Sequence, residues 1–206
     1  MCRSLEVSLI TGLFSYALSY YFWIRDGRFD RPLAIFIVVF STIQWLEAAI
    51  WGSFRYNMPW LNTLATFLIP IVLASEFIAS GFIGYRYDTI SINSLYLFGL
   101  LGIAFLYIWY NSCGSLMTSV DPQTGGLLWC DNTGLSNNRM GKWIFLALLL
   151  GPFVPIIGEP SVAIIVYGTL ITFLIATTYG QTFSSNWCWL SNFIILLQLF
   201  IGRVDS

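Results

Sequence analysis

Apolar residues run through this chain in seven long stretches that are separated by polar connections. The hydrocarbon core of a bilayer is about 30 Å thick, and a helix needs about 20 apolar residues to cross it. The stretches lie near residues 5–24, 33–53, 61–85, 92–110, 142–157, 160–180 and 186–202. This pattern predicts an all-α integral membrane bundle of about seven transmembrane helices, forming a single domain over residues 1–206.

The fifth stretch departs from this pattern because it is short and is interrupted by Pro152 and Pro155. Proline removes a backbone hydrogen bond from a helix. A broken helix is tolerated at membrane depth only where protein or water satisfies the freed backbone groups. Six spans with a re-entrant fifth segment are therefore an alternative to seven full spans.

One long polar connection, residues 111–141, is rich in Gly, Asn, Ser and Thr and contains Cys113 and Cys130. With seven crossings, these two cysteines lie on the same side of the membrane as Cys2 and Cys188. If that side is oxidising, four thiols allow three sets of pairings. We predict a disulfide between Cys113 and Cys130, with free buried thiols as the alternative.

Basic residues give the orientation, because cytoplasmic loops carry an excess of Lys and Arg. One side holds Arg25, Arg28, Arg31, Arg86 and Arg203, and the other holds Arg3, Arg55, Arg139 and Lys142. Five against four is a small difference. It favours an N-terminus and a 111–141 loop on the exoplasmic side, with a cytoplasmic C-terminus.

The composition then narrows the function classes. The chain is 57% hydrophobic and 18% aromatic, and only 9% of its residues are charged, whereas a soluble domain carries about 25% charged residues. It contains no His and has a net charge of −1 without a basic run, so the commonest metal ligand and His-activated nucleophiles are excluded. We predict no cofactor, no metal and no nucleic-acid partner, and enzymatic activity is not favoured.

Polar residues at membrane depth are the functional candidates. In the segment STIQWLEAAIW, residues 41–51, a helix brings Gln44, Glu47 and Trp51 to one face. A mid-membrane acid costs about 2.5 to 3.5 kcal/mol, so such a group normally faces a partner helix or a wet cavity. We predict a polar interior, or transport path, formed by Gln44, Glu47, Trp51, Glu76, Ser80 and Gln198.

Two other features lie nearer the helix ends. Glu6, Arg3 and Arg55 are candidates for an outer polar cluster in which the acid pairs with an arginine. The fourth stretch ends in YIWY, residues 107–110, which is typical of an aromatic belt at the membrane interface.

The segments MCRSLEVSLIT, residues 1–11, and STIQWLEAAIW, with Asn62, Pro70 and Ser75, carry a resemblance. The chain resembles an uncharacterised family of multi-spanning membrane proteins, a domain of unknown function found in large DNA viruses of protists and in some bacteria and eukaryotes. The resemblance implies that Cys2, Glu6, Gln44, Glu47 and Trp51 form a recurrent arrangement, and it implies no activity. Arg3 stands where the family usually has Trp.

Three functions remain in competition. The first is a channel or transporter for protons or small cations, with Glu47 and Glu76 as successive stations, since an isolated buried acid suits such a cargo. The second is a structural or assembly subunit of a viral or organellar membrane, as a homo-oligomer or within a larger complex. The third is a seven-helix protein that binds a lipid or chromophore non-covalently.

A rhodopsin-type pigment is not predicted. Retinal forms a Schiff base with a lysine, and that lysine must lie inside the bundle. The only lysine of the chain, Lys142, is expected at the mouth of the fifth helix.

Overall fold

The computed structural model of the chain describes residues 4–25, 27, 30–132, 139–157, 159–178 and 182–201. Seven α-helices follow one another along these residues, as the apolar stretches predict, and the all-α prediction is confirmed. They are α1 Leu5–Arg25, α2 Asp30–Arg55, α3 Pro59–Arg86, α4 Ile92–Ser112, α5 Arg139–Leu150, α6 Pro160–Thr177 and α7 Phe183–Ile201.

Four helices, α1 to α4, are long and apolar enough to cross a membrane among the residues that the structure describes. These are the helices expected of a multi-pass membrane protein. Helix α5 has only 12 residues, which gives it a length of about 18 Å. It continues into a 3-10 helix, Gly151–Ile156, that contains the two prolines. The number of membrane crossings stays a prediction.

The first four helices form antiparallel neighbours joined by tight connections. Between α1 and α2, Arg25 donates to the buried carboxylate of Asp30 at 2.5 Å. Between α2 and α3, Asn57 adopts a positive φ of 53°, a conformation that Asn tolerates better than most residues. Pro59 then stands at the first position of α3, where its missing N–H costs nothing.

Helix α5 runs beside the second half of α3 and in the same direction. The rings of Phe77 and Phe145 lie 4.9 Å apart, and the Ser80 hydroxyl donates to the backbone oxygen of Leu149 at 2.6 Å. By this register Arg139, six residues before Phe145, lies at the level of residue 71. Helix α5 therefore begins about halfway along α3.

The chain between α4 and α5 occupies the other half of this space. It contains a two-stranded antiparallel ribbon, β1 Ser119–Val120 with β2 Leu127–Leu128. Leu127, Trp129 and Cys130 are buried and pack into the same cluster as Ile69 of α3. The connection is therefore not a purely solvated polar loop, although its sequence suggests one.

Asn62 of α3 fixes this connection to the bundle. Its Nδ2 donates to the backbone oxygen of Thr118 at 2.9 Å, and its Oδ1 accepts from the Thr118 backbone N–H at 2.8 Å. The hydroxyl of Thr118 also lies 2.8 Å from that of Thr66. An asparagine amide has one donor side and one acceptor side, so it pairs with one residue of backbone as a β-strand would.

Cys113 and Cys130 form the predicted disulfide. The bridge connects the residue that follows α4 with the buried end of the ribbon. Cys2 lies outside the described residues, as does the side chain of Cys188.

Replacing Asn62 by Ala should destabilise the protein by about 2 to 4 kcal/mol, because it leaves a buried backbone N–H and a buried carbonyl without partners. Thermal or denaturant unfolding of the purified protein measures this effect. Asn111→Ala is the matched control, since the Asn111 side chain is exposed and bonds only to the Tyr107 backbone oxygen of its own helix. Equal loss of stability in both variants would contradict the assigned role of Asn62.

Reducing the disulfide, or replacing both cysteines by Ser, should lower the free energy of unfolding by about 3 kcal/mol, the value expected for a closed loop of this length. The two cysteines are 17 residues apart in the sequence. Mass spectrometry of non-reduced peptides checks the bridge itself. Four free thiols would contradict it.

Candidate functional site

The first polar group at depth lies between α1 and α2. Gln44 and Glu47 are both buried, with 1% and 0% of their surface exposed. The Oε1 atom of Gln44 accepts a hydrogen bond of 3.0 Å from the hydroxyl of Thr11 in α1. The other member of the predicted face, Trp51, is half-buried. The structure therefore brings Gln44 and Glu47 together on the face that the helical spacing predicts.

The second polar group is Glu76, which lies deeper along the bundle. Glu47 precedes the end of α2 by 8 residues, and Glu76 follows the start of α3 by 17. Because the two helices are antiparallel, the difference of 9 residues places the acids about 14 Å apart along the bundle axis. Ile43, Ile69 and Leu73 form part of the buried apolar cluster at the intermediate levels. The two acids thus do not share one site.

Glu76 faces a cavity of about 220 Å³ between α3, α4 and α5. The walls are mainly aliphatic and aromatic, with Phe105 of α4, Trp109 of α4 and Trp129 of the connection among them. Among the described residues of the lining, Lys142 of α5 is the other ionisable one. This combination of an apolar wall and few polar groups is typical of small-molecule sites.

The position of Lys142 corrects one expectation. The sequence places it at the mouth of a helix, and it does lie in the first turn of α5. However, α5 begins halfway along α3, so its first turn lies inside the bundle. Lys142 consequently lines the same cavity as Glu76.

Three buried polar groups in the lining of this cavity lack hydrogen-bond partners among the described residues. Both carboxyl oxygens of Glu76 are in this state, and so are the indole Nε1 atoms of Trp109 and Trp129. Glu76 is 0% exposed, Trp109 8% and Trp129 4%. Buried polar groups usually find a partner, so these three groups in the lining of one cavity require an explanation.

The cavity opens sideways, toward the surface that lipid would cover. Ile108 of α4 and Ile144 of α5 belong to its lining and are 48% and 54% exposed. Helix α4 has only Gly102 and Trp109 buried along its whole length. A molecule dissolved in the bilayer therefore has access between α4 and α5.

The remaining predicted residues lie elsewhere. Ser80 is buried and bonds to the Leu149 backbone, which is a packing role between α3 and α5. Gln198 belongs to α7, and its side chain lies outside the described part of the structure. Glu6 and Arg55 form an ion pair of 2.5 Å with both side chains more than half exposed, and an exposed pair contributes little stability.

Arg3, the third member of the predicted outer cluster, lies outside the described residues.

The arrangement of Gln44 and Glu47 on one helix face is a local property, which sequence spacing captures. The cavity around Glu76 was not predicted, because Trp109, Trp129 and Lys142 come from three separate segments. Trp109 in particular belongs to the YIWY segment, which suggests an interfacial belt. Its neighbour Tyr107 fits that belt with 71% exposure, whereas Trp109 is buried.

Comparisons of the chain with family models, with curated proteins and with solved structures each give no match. The resemblance to a family of multi-spanning membrane proteins therefore stays a prediction.

Proposed function

We propose that this chain is a multi-pass membrane protein whose cavity between α3, α4 and α5 binds a lipid-soluble molecule from the bilayer. The observation that carries this proposal is a fully buried Glu76 that has no hydrogen-bond partner among the described residues and lines an apolar cavity that opens sideways. An ionisable group at membrane depth is costly and normally serves a function. Of the three functions in competition, lipid or chromophore binding is the one that this geometry favours.

The proposal includes a topology with seven crossings. Helix α5 forms one half of the fifth crossing, and the disulfide-closed connection before it forms the other half. An N-terminus and a connection on the exoplasmic side agree with the disulfide, since such bridges persist in oxidising compartments. Non-helical backbone is acceptable at that depth because protein surrounds it.

A specific observation keeps a second candidate, the passage of protons or small cations. Glu47 and Glu76 are both fully buried and lie at two levels of the bundle, as stations along a path would. Between the two levels Ile43, Ile69 and Leu73 pack in an apolar cluster, and a path through that cluster requires one of these side chains to rearrange. This candidate is therefore the weaker of the two.

Filling the cavity should displace its ligand. Native mass spectrometry of the purified protein should detect a lipid-sized adduct, and Ala104→Phe, which places a ring in the cavity lining, should lower its occupancy by about tenfold or more. Ile103→Phe is the matched control, because Ile103 is 65% exposed on the same helix and is not part of the lining. The absence of any adduct on the wild-type protein, or an equal loss in both variants, would contradict the proposal.

Flux measurements test the second candidate. In liposomes under an imposed pH gradient or membrane potential, a transporter should lose its flux when Glu76→Gln or Glu47→Gln removes the acid with little change of shape. Glu6→Gln makes the same chemical change at an exposed glutamate and should preserve the flux. Folded, inserted protein without flux under any gradient would rule this candidate out. If the wild-type protein also lacked an adduct, the structural or assembly role would remain.

A further inference from the structure

Two of the buried hydrogen-bonding groups that line the cavity can only donate. The indole Nε1 atoms of Trp109 and Trp129 donate and cannot accept, and both are buried without a partner among the described residues. Glu76 is the one acidic side chain among the described residues of the lining.

A complementary ligand therefore brings acceptors. An ammonium group has no acceptor atom and could not satisfy the two indole N–H groups. A carbonyl oxygen accepts two hydrogen bonds and donates none. A carbonyl group is also weakly polar, so a molecule that carries one dissolves in the bilayer at the depth of the lateral opening.

The walls favour a flat molecule. Phe77, Phe105 and Phe145 pack on one another, with ring centroids 4.9 to 6.1 Å apart, and the two tryptophans extend this aromatic surface. Flat rings stack on such surfaces at 4.5 to 7 Å. A cavity of about 150 Å³ accommodates benzene. The cavity of about 220 Å³ therefore accommodates a somewhat larger ring, and a longer chain would leave through the opening beside Ile108 and Ile144.

We infer that the ligand is a planar, lipid-soluble carbonyl compound, of the quinone type, whose oxygens accept hydrogen bonds from the indole N–H groups of Trp109 and Trp129. This inference rests on the lipid-soluble ligand proposed above. It adds the chemical class of that ligand and the two residues that recognise it.

A matched pair of probes tests the inference. Tetramethyl-1,4-benzoquinone and 1,2,4,5-tetramethylbenzene share the ring and the methyl groups, and only the first carries carbonyl oxygens. Equilibrium dialysis against the full chain in nanodiscs, corrected for empty nanodiscs, measures the affinity of each. We expect the quinone to bind at least about tenfold more tightly, as two hydrogen bonds would give.

Tryptophan variants then separate hydrogen bonding from packing. Trp109→Phe and Trp129→Phe keep a ring and remove the N–H, so each should weaken quinone binding by about three- to tenfold and leave hydrocarbon binding within about twofold. Trp143→Phe is the matched control, because Trp143 is 49% exposed on α5 and does not line the cavity. It should change neither affinity.

The outcomes distinguish the inference from the function on which it rests. Equal affinity of the wild-type protein for both probes would overturn the carbonyl class and preserve an apolar ligand site. Binding of neither probe above empty nanodiscs would overturn the proposed function as well. If Trp109→Phe and Trp129→Phe change the preference for the quinone no more than Trp143→Phe does, the two indole N–H groups do not take part in recognition. The wild-type comparison needs no variant, so it stands even if a variant fails to fold.

Discussion

The structure depends on one constraint, which is that backbone polar groups within a bilayer must find partners inside the protein. Helices meet this requirement by themselves, but the connection between α4 and α5 does not. It enters the bundle because Asn62 supplies both a donor and an acceptor to the backbone of Thr118, and because its own ribbon pairs β1 with β2. The disulfide between Cys113 and Cys130 then limits the conformations that the connection has when unfolded.

This arrangement explains why the bundle contains a cavity. A full-length fifth helix would pack along the whole of α3, as α2 and α4 do. Helix α5 instead begins beside the middle of α3, and Trp129 of the connection approaches from the other half. Where the two meet, side chains from α3, α4 and α5 surround a space that none of them fills. Glu76 lies at this junction and lines the space.

The sequence predicts helices well and their junction poorly, for a physical reason. Apolar runs give the helix positions, and helical spacing correctly unites Gln44 with Glu47, because both properties are local. The parallel register of α3 and α5 depends on contacts such as Phe77 with Phe145, which no periodicity encodes. Lys142 and Trp109 were therefore assigned to helix ends by local pattern, although the packing brings both of them to the cavity.

The two buried acids differ in what surrounds them, and this difference is the ground for preferring the proposed ligand site. Glu47 lies one turn from Gln44, whose side chain is hydrogen-bonded to Thr11, so its region already joins α1 to α2. Glu76 instead lines a cavity with two indole N–H groups that lack partners among the described residues. Between the two levels Ile43, Ile69 and Leu73 pack in an apolar cluster, and interiors of this kind resist a change of volume. The cavity that Glu76 lines is already formed, which favours the proposed ligand site over a transport path.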